Sequence, residues 1–175
     1  MGWISILRSL SAIAAPGATN VIAGTSSFCR GGESADIGVK FALTAASRIN
    51  ERFPISLAGQ VQLINARLFG DPAETDLYLP PAVRAGLLAE RDRVLAAVRG
   101  QKLVAEFEVQ TRAEIRAALR LIAEHQLRGV LLMPRDVDDL ADEIRQAGVA
   151  VVIGSVRPRD SERTTQGLVA LAKAG

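Results

Sequence analysis

The chain has a single cysteine, Cys29, and a single histidine, His125. A lone cysteine cannot form a disulfide within the chain, which fits a reducing compartment such as the cytoplasm. A lone histidine cannot build a His-rich metal centre. Aromatic residues make up only 4% of the 175 residues. The core must therefore be aliphatic, and no stacking surface for single-stranded nucleic acid is available. Phosphate-binding Gly-Lys-Ser or Gly-Lys-Thr is missing, as are the G-x-G-x-x-G dinucleotide turn and the G-x-S-x-G nucleophile elbow. No apolar run approaches the ~20 residues that span a bilayer. Residues 1–32 contain no Asp or Glu, and Arg8 falls inside the apolar opening rather than before it, the wrong order for a secretory signal. Twenty-one basic residues against nineteen acidic ones leave a net charge of +2, too small for a nucleic-acid-binding face.

What remains is ordinary globular material, 49% hydrophobic and 23% charged. The length suits one domain over residues 1–175. Ser9 to Ala15 reads as a short strand running into the turn cluster Pro16-Gly17-Ala18-Thr19-Asn20. Gly24 and the Gly31-Gly32 pair make the next stretch loop-rich. Val39 to Leu43 reads as a second strand with Lys40 in its middle. Ser56 opens a helix whose apolar residues Leu57, Val61, Ile64 and Leu68 recur every three or four positions, and Gly70 stops it. Val83, Leu87, Val94, Leu95 and Val98 mark a second helix, which ends at Gly100.

From Lys102 the pattern is regular. Leu103 to Val109 is a strand. Thr111 and Glu114 have capping-box spacing and open a helix. Val130 to Met133 is an apolar strand, ended by Pro134. A helix with Val137, Leu140 and Ile144 on one face follows, then an apolar strand from Val149 to Ile153. Thr165 to Ala174 is a last short helix. Apolar runs without alternation predict parallel strands covered by helices on both faces. The fold class is therefore α/β, built from parallel βα units. Two architectures fit: part of a TIM-like barrel, or an open doubly wound parallel sheet.

Three stretches carry a family resemblance. Ala15-Pro16-Gly17-Ala18-Thr19-Asn20-Val21-Ile22-Ala23-Gly24 is similar to a P-G-x-x-N-x-I-x-G turn. Gly38-Val39-Lys40-Phe41-Ala42-Leu43 is similar to a G-x-K-x-A-L strand. Leu103 through Gly154 keeps register with a strand–helix–strand–helix–strand segment. Together they resemble the inner part of an amidohydrolase-superfamily barrel, in the imidazolonepropionase-like branch of metal-dependent hydrolases. The resemblance implies TIM-barrel ancestry, zinc, and hydrolysis of carbon–nitrogen bonds other than peptides. It also implies that the chain corresponds to half to two-thirds of such a barrel, with strands missing at both ends. The departures are specific. Glu108-Val109-Gln110 stands where the family has H-x-H, and Met133 stands where the next strand ends in His. No metal ligands and no cofactor are therefore expected.

The remaining site candidates are few. Glu108, Lys40 and Asp136 form a weak catalytic set, since barrel enzymes place chemistry at the C-terminal ends of their strands. Asn20, Gly24 and Gln110 are candidate ligand-binding positions within the matched motifs. A bland reading competes: Glu108 pairs with Lys40 or an Arg, and Asp136 caps its helix. The expected function is a degenerate amidohydrolase-like protein without hydrolase activity, a pseudoenzyme. The alternatives are a divergent hydrolase using Glu108 and Lys40, and a small-molecule binding module with a periplasmic-receptor-like open sheet. Exposed edges of a partial barrel would be covered by a second copy or a partner subunit. Neither nucleic acid nor a membrane is expected as a partner.

Overall fold

The computed structural model describes residues 5–9, 23–30, 33–48, 55–69, 89, 92–137, 139–153 and 162–174. In chain order the elements are β1 (Ser5–Ser9), β2 (Ala23–Arg30), β3 (Glu33–Ala42), a 3-10 turn (Ala45–Ser47) and α1 (Leu57–Phe69). Helix α2 follows over 92–99. Then come β4 (Val104–Glu108), α3 (Arg112–Glu124), β5 (Gly129–Leu132), α4 (Ala141–Gln146), β6 (Ala150–Val152) and α5 (Glu162–Ala174).

The strands form one six-stranded sheet in the order β1-β2-β3-β4-β5-β6. The first three are antiparallel neighbours, with a bulge at Ser26/Ser27. From β3 to β6 every pairing is parallel. A doubly wound sheet reverses its strand order at a switch point. None occurs among the described strands: each parallel strand is added beside the last, as in barrel winding. With right-handed crossovers this order lays every helix on the same face.

Burial follows from that geometry. Val39, Phe41, Leu43, Ala105, Phe107, Val109 and Leu131 point to one face and are almost fully buried. They share one cluster with Ile64 of α1, Val94, Leu95 and Val98 of α2, Ile115, Ala118 and Leu121 of α3, and Ile144 of α4. Phe41 and Phe107, in register on β3 and β4, stack with ring centroids 5.3 Å apart. The opposite face carries Lys40, Glu106, Glu108, Val130 and Leu132, all partly exposed, and Val152, which is half-exposed. Burial on both faces is thus not observed. Apolar runs marked parallel strands correctly, but among the described residues helices cover only one side of them.

Helix starts differ from the sequence reading in instructive ways. Thr111 and Glu114 do form a capping box: Thr111 Oγ1 accepts from the Glu114 N–H, and Glu114 Oε2 accepts from the Thr111 N–H at 3.0 Å. The helix expected from Val137 begins only at Ala141, at the N-cap Leu140. Val137 and Leu140 are buried all the same, in tight turns held by Val137 N–H to Arg135 C=O and Leu140 N–H to Val137 C=O. Asp136 therefore caps no helix. Its N–H donates to Gln110 C=O instead. Helix α5 starts three residues earlier than the sequence reading, at Glu162 rather than Thr165. The loop expected around Gly24 is strand β2. Its small polar residues give little strand signal, but its backbone pairs with β1 on one side and β3 on the other. Residues 10–15 and the 16–20 turn, including Asn20, lie outside the described residues, as do Val83 and Leu87 of the expected second helix.

Gly129, at the start of β5, sits against α3. A Cβ there would lie 2.4 Å from Ile122 Cδ1 and 2.6 Å from its Cγ1. Helix α3 thus approaches the sheet closely only because this position has no side chain. Gly129→Ala is expected to cost about 1–3 kcal/mol in urea unfolding. The same change made in an Ile122→Ala background should cost less, because the clashing atoms are gone, although Ile122→Ala itself destabilises the core. Equal stability of Gly129→Ala and the parent would contradict the close approach.

At the C-terminal end of α3, His125 Nε2–H donates to Asn65 Oδ1 of α1 at 2.7 Å. Partial burial pushes its pKa below the usual 6.5, and the nearby Glu124 carboxylate opposes that only weakly. The fold therefore prefers the neutral ring. Its contribution is present above pH 6.5 and lost as pH falls through the lowered value. Stability should drop between neutral pH and mild acid, and His125→Gln should flatten that slope in pH-dependent urea melts.

Candidate functional site

In a sheet wound this way, ligands meet the carboxyl ends of the parallel strands. Here those ends are Ala42-Leu43 on β3, Glu108-Val109 on β4, Leu132-Met133 on β5 and Val152-Ile153 on β6. Two of the sequence candidates come together on the uncovered face. Lys40 Nζ lies 2.5 Å from Glu108 Oε2, with each side chain about a quarter exposed. Lys40 is in register with Glu106 on β4 and with Gly24 on β2, so a glycine flanks the lysine across the strands. Asp136 does not join them; it is exposed in the loop after β5.

Gln110 is exposed, and its backbone carries the structural load. Its N–H donates to Glu114 Oε2 at 2.9 Å, and its C=O accepts from the Arg135 and Asp136 N–H groups at 3.1 and 3.0 Å. Gln110 thereby ties the β4 exit to the β5 exit. Met133 is half-exposed and holds a left-handed backbone with φ of 56°, a conformation that L-residues adopt at a cost. Its N–H donates to Val152 C=O at 2.8 Å, which locks the turn.

Beneath the strand ends, on the helix side, lies a polar network that the sequence reading did not identify. Glu114 is 2% exposed and Gln60 is fully buried. Arg48 Nη2 donates to Glu114 Oε1 at 3.0 Å and to Leu43 C=O at 3.2 Å, while Arg48 Nε donates to Gln60 Oε1 at 3.0 Å. Gln60 Nε2 donates to Ser47 Oγ at 2.7 Å and to the Ala42 and Thr44 carbonyls at 3.3 Å. The β3 exit loop, α1 and the start of α3 are thus held by one network with the polar atoms of Gln60 satisfied. A signal was available in the sequence: Gln60 falls within the apolar stripe of Leu57, Val61 and Ile64, where a polar residue needs a buried partner.

The donor set does not suit zinc. Such a site needs three or four converging imidazole, thiolate or carboxylate ligands. The one carboxylate at the described strand ends, Glu108, is engaged by an ammonium, and its neighbours there are Leu43, Leu132, Met133 and Ile153. Among the described residues, no three His, Cys, Asp or Glu side chains converge in a way that could hold a metal ion. No helix among them is long and apolar enough to cross a membrane.

No family model and no curated protein matches the sequence. A solved structure does match the fold. An amidohydrolase from Thermotoga maritima MSB8 superposes with a TM-score of 0.66 over 90% of this chain, at 14% sequence identity. The two share a fold over that region. The matched region is 47% of that protein, so the chain spans about half the length of its structural relative.

The network beneath the strand ends generates a direct test. Gln60→Leu keeps the volume but leaves the Arg48 Nε–H without its acceptor and removes the Nε2 donor to Ser47 Oγ, and should cost about 2 kcal/mol in urea unfolding. Glu114→Ala removes the Arg48 partner and half of the α3 cap, and should cost about 3 kcal/mol. Losses within about 0.5 kcal/mol, typical of ordinary surface changes, would show that the network holds nothing.

Proposed function

We propose that this protein is a degenerate amidohydrolase-like module, a pseudoenzyme that keeps the fold and has lost metal-dependent hydrolysis of non-peptide carbon–nitrogen bonds. The Lys40–Glu108 ion pair carries this reading. At the strand ends, where a metal-dependent hydrolase needs free ligands to activate water, the available carboxylate is matched to a cation. The pair acts as a structural clasp between β3 and β4, closing the part of the face nearest the strand ends. The superposition on the Thermotoga protein supports the ancestry. The single cysteine supports a cytoplasmic, reducing setting.

The competing use of the same residues is acid–base chemistry by a divergent hydrolase. Lys40 and Glu108 are adjacent and both reach solvent, as that would require. The purified chain should show no turnover of cyclic amides or imidazolone-type substrates, with or without added zinc. Glu108→Ala and Lys40→Ala should then alter stability alone. Turnover by the parent chain that disappears in both variants would replace this reading with the divergent enzyme.

A further inference from the structure

The exits of three strands converge on one carboxylate. Glu114, in the first turn of α3, is 2% exposed, and its two oxygens serve different loops. Oε1 accepts from Arg48 Nη2 at 3.0 Å, from the β3 exit. Oε2 accepts from the Gln110 and Thr111 N–H groups at 2.9 and 3.0 Å, at the β4 exit. Further bonds lead outward from both. Arg48 Nη2 also donates to Leu43 C=O, and Leu43 N–H donates to Glu108 C=O at 3.0 Å, beside the Lys40–Glu108 pair. Gln110 C=O accepts from the Arg135 and Asp136 N–H groups of the β5 exit.

Two features make these bonds cooperative. The C=O of Gln110 and the N–H of Thr111 belong to one planar peptide unit. That unit cannot tilt away from Glu114 without drawing its carbonyl from the β5 exit. Second, a buried carboxylate without its cation is costly, so a Glu114 that loses Arg48 takes up a proton or turns toward water. Either response weakens the hold of Oε2 on the peptide unit. No ladder bond joins the β3 and β5 exits directly, because β4 lies between those strands.

We infer that the exits of β3, β4 and β5 form a single latch, closed or open as a unit, with Glu114 at its centre. Beyond the static Lys40–Glu108 clasp, the strand-end surface then has two states. Whatever fixes one exit also fixes the other two, and the coupling is reciprocal.

Amide hydrogen exchange, followed by NMR on the full chain, tests this because it reads opening residue by residue. Arg48→Met should speed exchange of the Arg135 and Asp136 amides about tenfold. Arg48→Lys, which keeps a cation, should fall between Arg48→Met and the parent. Val98→Ala, a core change in α2 outside the network, should leave those two amides within about twofold of the parent. The reverse arm stands even if Arg48→Met fails to fold. Pro134→Gly loosens the chain entering the β5 exit, and should speed exchange of the Ser47 and Arg48 amides, which close the turn after β3, about threefold. Unchanged Arg135 and Asp136 exchange in Arg48→Met, an equal acceleration in Val98→Ala, or a Pro134→Gly effect confined to its own loop would overturn the inference.

Discussion

The direction of winding governs this molecule. From β3 onward each parallel strand is laid beside its predecessor and never on the far side of an earlier one. Right-handed crossovers then send every connecting helix to one face. The buried core, with Phe41 stacked on Phe107 and Ile115, Leu121 and Ile144 above them, is a consequence. So is the mixed surface opposite, where alternate residues of the same strands have no helix to cover them. In a closed barrel that second face is the packed interior. In this chain, at about half the length of its structural relative, it stays partly open to solvent.

The two faces deal with polar residues differently. On the helix side, Glu114 and Gln60 are taken fully out of water, which is tolerable only because Arg48, Ser47, Thr111 and backbone groups satisfy them. On the open side, Lys40 and Glu108 pair with solvent still at hand. The helix-side network sets where the β3 exit loop and the start of α3 lie. Those elements in turn set the position of Gln110, whose carbonyl anchors the loop after β5. The strand-end surface therefore rests on buried hydrogen bonds.

Much of the second half was legible in the residues themselves. Leu103 to Val109, Val130 to Met133 and Val149 to Ile153 are apolar runs bounded by glycine, proline or a cap, and each contains a strand. The Thr111/Glu114 capping box needs only local contacts, so its spacing is informative. A cation partner for Glu108, Lys40 or an Arg, was legible from the charge at a strand end, but only the β3–β4 pairing selects Lys40. Other features depend on tertiary context. Strand β2 is stabilised by ladders on both sides, which Thr25, Ser26 and Ser27 do not advertise. Val137 and Leu140 have helical spacing because the core needs them buried, and turns satisfy that need as well as a helix does. The partnership of Arg48 with Glu114 spans sixty-six residues and left no local trace. One-sided coverage likewise depends on strand order, which hydrophobic patterning does not encode.

The central claim is that the strand ends hold an ion pair in place of a metal centre. Native mass spectrometry of the chain after exposure to zinc and desalting tests it most directly. The account predicts the metal-free mass for the parent and for Glu108→Ala alike. One zinc retained per chain by the parent and lost in Glu108→Ala would contradict it.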